Sequence, residues 1–241
     1  MTWQLSRRSI IMGLAGTASA STPVDAWCRG WPGPAPQDAL PPIEGPIQTH
    51  VWSNPWSPAT WDKAGGVYPW RSANVSLTGG ELTLRVTSGA AASVQANDDQ
   101  RRTEGLFEID ATLPAGRPGL IIAPLYLYGA DGHEIDFEVV GDRGLQLAVH
   151  TAGAFNAFTR KVAGDFSGRR RYAVRYIAGR EIAWLVDGDE IFSLRPSDLR
   201  SIFPFHGLKP YAEIWPARDV SWAGRWRHVD TQMTLHGYRL S

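Results

Sequence analysis

Cysteine is almost absent: Cys28 is the single one among 241 residues, so neither an intramolecular disulfide nor a paired Cys-x-x-Cys metal knuckle can hold the chain. Stability must come from packing. A charge excess is missing too, with 24 Lys plus Arg against 24 Asp plus Glu, and without a basic surplus a dedicated nucleic-acid partner is not expected. There is no Gly-x-Ser-x-Gly elbow, no phosphate-binding loop, no dinucleotide fingerprint and no His-Glu-x-x-His spacing. Apolar runs long enough to span a bilayer are likewise lacking, and no membrane partner is expected. What the chain does have is 43% hydrophobic residues, which excludes disorder, and eleven Trp, more than a core of this size requires. The indole N–H needs a partner when buried, so the surplus points to flat binding surfaces.

Residues 1–26 read as an export signal. Arg7 and Arg8 precede the apolar run Ile10 to Ala15, and the small residues Ala18-Ser19-Ala20 follow. Ser6-Arg7-Arg8-Ser9 fits a twin-arginine signal, and an ordinary Sec signal fits equally well. Both predict a periplasmic or secreted bacterial protein, with cleavage after Ala20 or Ala26. Cys28 follows the bulky Trp27, which argues against a lipid anchor. Residues 27–42 hold a Pro-rich stretch that can form neither helix nor central strand and read as a linker. Residues 43–241 show no second break and read as one domain.

That domain reads as all-β. Glu81 to Thr87, Leu106 to Leu113 and Tyr172 to Ile177 alternate polar and apolar residues. Ile182 to Val186 and Glu190 to Leu194 flank Asp187-Gly188, a two-residue hairpin signal. Helical periodicity is confined to one turn near Pro196 to Ile202. Short strands with regularly spaced turns predict a sandwich of two antiparallel sheets.

The chemistry is concentrated in His133-Glu134-Ile135-Asp136-Phe137-Glu138-Val139-Val140-Gly141. On a strand, Glu134, Asp136 and Glu138 share one face while Ile135, Phe137 and Val139 enter the core. The α-carbons of Glu134 and Glu138 lie roughly 13 Å apart at about 3.3 Å per residue, a gap that two converging side chains largely close. Retaining glycosidases hold their carboxyl groups about 5–5.5 Å apart and inverting ones about 6.5–9.5 Å; the spacing is compatible with retention without proving it. A solvated strand face is the ordinary reading of an isolated Asp-x-Glu. Three acids with no interleaved cation raise one another's pKa at a cost in stability, which is tolerated where a proton must be held near neutral pH. A divalent-metal cluster with His133 or His150 ranks below glycoside chemistry, because His133 falls on the opposite face. No metal or other cofactor is expected.

Glu-Ile-Asp-Phe-Glu, continued by Val139-Val140-Gly141, resembles the signature of glycoside hydrolase family 16. Gly65 to Val75 is similar to the early strands of bacterial lichenases, the β-1,3-1,4-glucanases; Glu104 to Ile109 resembles their Gly-x-Tyr-Glu-Val strand, and Trp184 to Gly188 their Trp-Tyr-Val-Asp-Gly hairpin. The resemblance implies a curved, concanavalin A-like β-jelly roll with a cleft across one sheet, and double displacement. It makes Glu134 the nucleophile and Glu138 the acid and base, with Asp136 hydrogen-bonding the nucleophile and helping to keep Glu138 protonated. The uninterrupted Glu-x-Asp-x-Glu resembles the lichenase and xyloglucan-enzyme branch more than laminarinases.

The same resemblance places Tyr126 and Tyr128, two residues apart on one face, in the cleft, although core packing fits one of them nearly as well. It puts His150 beside the cleaved sugar, and Trp215 with Glu213 on another strand of the cleft. Trp52, Trp56 and Trp61 are assigned to packing, and Arg101 and Arg102 to solvated surface. Three departures bear on substrate: Gly132 where lichenases carry Trp, and Ala148 and Glu213 where they carry Asn. The expected protein is a monomeric retaining endo-β-glycanase acting on a polysaccharide, mixed-linkage β-glucan first. A transglycosylase acting on a bacterial exopolysaccharide and a non-cutting lectin-like module are the alternatives.

Overall fold

The structure, a computed structural model, describes residues 56–241 apart from 61, 64, 130–131 and 152–153. The expected export signal, the linker, Trp52 and Trp61 lie outside the described residues. Two seven-stranded antiparallel sheets face each other as a jelly-roll sandwich.

The first sheet holds β1 (Trp56–Pro58), β4 (Ala92–Ala96), β13 (Lys209–Pro216), β6 (Leu120–Tyr128), β7 (Glu134–Val140), β8 (Leu145–Thr151) and β9 (Ala154–Val162), in that spatial order. The second holds β12 (Asp189–Leu194), β11 (Glu181–Val186), β10 (Gly168–Ile177), β5 (Glu104–Leu113), β14 (Thr231–Leu240), β3 (Glu81–Val86) and β2 (Val75–Thr78). The hairpin expected at Asp187-Gly188 is present, and both residues have positive φ, 55° and 90°, which matches the twist of the flanking strands. At the expected helical turn the chain forms only a 3₁₀ turn, Pro196–Asp198. A one-turn helix, α1 (Val220–Ala223), has no counterpart in the sequence reading; Asp219 caps it by accepting from the Ser221 and Trp222 backbone N–H groups.

Alternation decides the layers. Ile135, Phe137 and Val139 of β7 point inward with Leu145, Leu147 and Val149 of β8, against Phe107, Ile109, Tyr172, Val174 and Trp184 of the second sheet. Phe137 meets Tyr172 edge-on at 5.4 Å. Trp184, fully buried, crosses the core from β11 and donates its Nε1–H to the Asp136 carbonyl at 3.0 Å. The second sheet therefore grips the backbone of the acidic strand from beneath. Trp56 packs against this core and meets Tyr238 at 5.4 Å.

Two glycines seat the segment after β13 over one end of the acidic strand. At Gly119 (φ +84°) a Cβ would stand 2.3 Å from the Trp226 nitrogen, and at Gly141 (φ +60°) 2.4 Å from the Ala223 carbonyl. Only glycine permits both the conformation and the approach.

Candidate active site

β7 lies in the middle of its sheet, between β6 and β8. Its outward face bears Glu134, half-buried, and Asp136 and Glu138, which are 1% and 3% exposed. These acids do not form a solvated strand face. Three cross-strand rows surround them. Glu134 pairs with Tyr128 on β6 and His150 on β8; Asp136 pairs with Tyr126 and Ala148; Glu138 pairs with Gln146. On β6 the register shifts between Ile122 and Leu125, so Ala123 and Pro124 together stand opposite Glu138.

The carboxylates of Glu134 and Asp136 and the imidazole of His150 converge, with their ligand atoms all within 4.8 Å of one another. Among the described residues this is the one group of acids and histidines arranged so that it could hold a cation. His150 Nε2 lies 2.9 Å from Asp136 Oδ2, and the Asn156 backbone N–H donates to Nδ1 at 2.9 Å. With Nδ1 acting as acceptor, the proton of the neutral ring belongs on Nε2, facing the central carboxylate. Asn156 has φ 53°, beside the register shift between Val149 and Thr151 that turns β9 across β8. His133 is on the other side of the strand, 2% exposed, with Phe205 and His206 rings 5.8 and 6.4 Å away.

The tyrosines and β13 extend the polar face. Tyr126 stacks on Tyr211 at 5.0 Å, and Tyr128 meets the same ring edge-on at 6.1 Å. Tyr126 is buried and donates its hydroxyl to Glu213 Oε2 at 3.0 Å, whereas Tyr128 is half-buried. Glu213, 2% exposed, also accepts from Lys63 Nζ at 2.9 Å. Trp215 is 1% exposed: the Lys63 ammonium lies 4.4 Å over its ring and the Trp222 ring 6.1 Å away. Its indole is thus covered in this structure, not an open stacking platform. At the far end of β13, Lys209 lies 3.0 Å from Asp98. Hydrogen bonds from Lys209 first, then Arg101, hold the Asp98 carboxyl below its ordinary value. Arg102 is exposed and donates to the Asp99 and Arg101 carbonyls.

Four residues of this face escaped the sequence reading. Tyr211 and Lys209 were within reach, since they continue the period-two face of Glu213 and Trp215. Lys63 and Trp222 were not. Lys63 comes from the connection after β1, and Trp222 from α1, where its Nε1–H donates to Gln146 Oε1 at 3.1 Å beside Glu138.

A jelly-roll sandwich with three aligned acids on a central strand, flanked by tyrosines and indoles, defines a glycoside hydrolase. Residues 64–234 match glycosyl hydrolases family 16, and the chain belongs to that family. No curated protein matches it. Among solved structures it is similar to a β-1,3-1,4-glucanase (lichenase) from a mouse hindgut metagenome, with 24% identity, TM-score 0.65, and coverage of 77% of this chain and 92% of that one. It is also similar to the Bacillus licheniformis β-glucanase (22%, TM-score 0.67, 78% and 92% covered). The laminarinase catalytic domain from Thermotoga petrophila shares the fold as well (17%, TM-score 0.63, 78% and 90% covered).

Proposed function

We propose that the protein is a retaining endo-β-glycanase whose first-choice substrate is mixed-linkage β-1,3-1,4-glucan. The observation that carries this reading is the row of Glu134, Asp136 and Glu138 on the outward face of β7, two of them almost wholly desolvated. Glu134, the most exposed of the three, attacks the anomeric carbon while Glu138 gives its proton to the departing glycosidic oxygen. In the second half, Glu138 takes a proton from water, the hydroxide attacks the glycosyl-enzyme, and Glu134 leaves as carboxylate. The first step needs the protonated form of Glu138, which is 3% exposed and stands two residues from Asp136 on the same face. Asp136 is the positioning group between them, itself faced by His150 at 2.9 Å.

Tyr128, Tyr126, His150 and Glu213 are assigned to the glycan-facing surface, with Tyr128 the open ring for stacking and Tyr126 acting mainly through Glu213, while Trp215 lies on the same face beneath Lys63. The lichenase among the similar structures favours mixed-linkage glucan, and the departures at Gly132, Ala148 and Glu213 leave the acid row intact. We further propose that the protein works outside the cytoplasm, on the strength of the export signal read in residues 1–26, and that it does so as a monomer. Among the described residues no helix is long and apolar enough to cross a membrane.

The test is to incubate the protein with β-glucan, laminarin, xyloglucan, agarose and carrageenan and measure new reducing ends, with the anomer followed by proton NMR. Release from one polymer with retained configuration, abolished in Glu134→Gln while binding persists, is the expected result. Binding without release identifies a lectin; transfer products that outnumber hydrolysis products identify a transglycosylase. Glu138→Ala slows substrates with poor leaving groups more than activated aryl glycosides; equal slowing removes it from the acid role.

A further inference from the structure

We propose that Lys63 is a specificity-determining residue: its side chain closes a slot between Trp70 and Trp215, so that a glycan crossing the acid row is stopped at β13. This inference rests on the proposal that the outward face of β7 is a glycan cleft.

The position follows from register. Glu213 pairs with Ala123, and Ala123 stands opposite Glu138, so Glu213 occupies the same cross-strand row as the proposed acid. At about 4.8 Å per strand, its α-carbon lies about 10 Å from that of Glu138, with only the small Ala123 between them. A saccharide unit leaving the Glu138 row in this direction arrives at Glu213 and at Trp215, the next outward residue of β13.

That arrival point is occupied. The Lys63 ammonium is 4.4 Å from the centre of the Trp215 ring and 4.5 Å from that of Trp70, within cation–π range of both. An ammonium at that height fills the layer that a pyranose ring stacked on the indole would take. Its side chain is 7% exposed, and the Glu213 side chain that neutralises it is 3% exposed. Tyr126 fixes the second carboxylate oxygen, so the counter-ion cannot turn away without losing that hydrogen bond as well. A lysine is a long, strongly hydrated cation, and stripping its water is tolerable only with a carboxylate and polarisable rings around it. The pair thus acts as an internal ligand for an aromatic slot.

The experiment compares wild type with Lys63→Ala and Lys63→Ala/Glu213→Gln, using oligosaccharides of rising length cut from the polymer that the panel identifies. The double variant removes the carboxylate that the single one leaves buried and uncompensated, yet keeps an acceptor for Tyr126. Opening the slot is expected to raise kcat/KM for the longer oligosaccharides by about tenfold, the scale of one added stacking contact. The gain is absent for the shortest. Ethylammonium chloride, a mimic of the lost side chain, is expected to reverse the gain in Lys63→Ala, where sodium chloride does not. Unchanged length dependence in the folded variants overturns the proposal. If the wild type cuts no glycan, the functional reading fails separately and ethylammonium alone reads the slot. A rise in melting temperature in Lys63→Ala and not in wild type then supports an enclosed ammonium site, and no rise overturns it.

Discussion

Replacing Trp184 with Phe tests whether the second sheet holds the acidic strand in place. The substitution keeps an aromatic ring near the stacked pair Phe158 and Phe192, each 6.2 Å away, but deletes the N–H that reaches the Asp136 carbonyl at 3.0 Å. Losing that hydrogen bond costs about 1 kcal/mol net. The smaller ring also leaves a void of roughly 40 Å³, worth about 1 kcal/mol at about 24 cal/mol per Å³. The sum, about 2 kcal/mol, is a sizeable share of a stability of about 5–15 kcal/mol. It appears as a fall of about 4–8 °C in Tm for a domain of this size. Urea unfolding at an unchanged m value measures it directly. Ile182→Val, equally buried on the same strand and without a polar contact to β7, is the control: it costs about 0.5–1.5 kcal/mol and leaves kcat untouched. Trp184→Phe lowers kcat in addition, because the backbone between the two glutamates loses its clamp. A stability loss under about 0.5 kcal/mol, or identical kcat in the two variants, refutes the reasoning.

Further outcomes follow from particular contacts. Gly119→Ala, whose Cβ would lie 2.3 Å from the Trp226 nitrogen, destabilises by more than about 2 kcal/mol and exposes Trp222 to acrylamide quenching. Asp187→Ala removes the carboxylate 3.1 Å from the buried Arg170 and costs about 3–5 kcal/mol in urea unfolding. Asp187→Asn costs less, since Asn tolerates the positive φ and can still accept from the Arg171 backbone N–H. The Asp219 carboxyl is held below its ordinary value, first by the Ser221 hydroxyl and then by the Trp222 N–H. Its contribution to α1 is therefore present above the usual carboxylate range and is lost as pH falls through the lowered folded value, which acid titration followed through the Trp222 indole resonance detects. Finally, ¹⁵N spectra of His150 place the proton on Nε2; a protonated Nδ1 in the neutral ring contradicts the Asn156 contact.

How much of this was legible beforehand depends on the range of the interaction involved. The alternation of β3, β5 and β10, the Asp187-Gly188 turn and the shared face of Glu134, Asp136 and Glu138 are local, since a strand repeats every two residues whatever it packs against. The acid row could therefore be read from nine consecutive letters. Its surroundings could not. Tyr126 pairs with Glu213 across 87 positions of chain, and Trp184 reaches Asp136 across 48. Trp215 satisfies the alternation that put it on the outward face, yet it is covered by Lys63, which arrives from the connection after β1, the edge strand two positions from β13.

The amino-acid order by itself determined the all-β class and which acids stand together, because both follow from backbone geometry and side-chain alternation. Only the tertiary structure decided how deeply those acids are buried, which proton of His150 faces Asp136, and that Lys63 fills the space above Trp215. Each of these depends on desolvation and on contacts between distant segments, and those exist only once the two sheets and their loops have closed on one another.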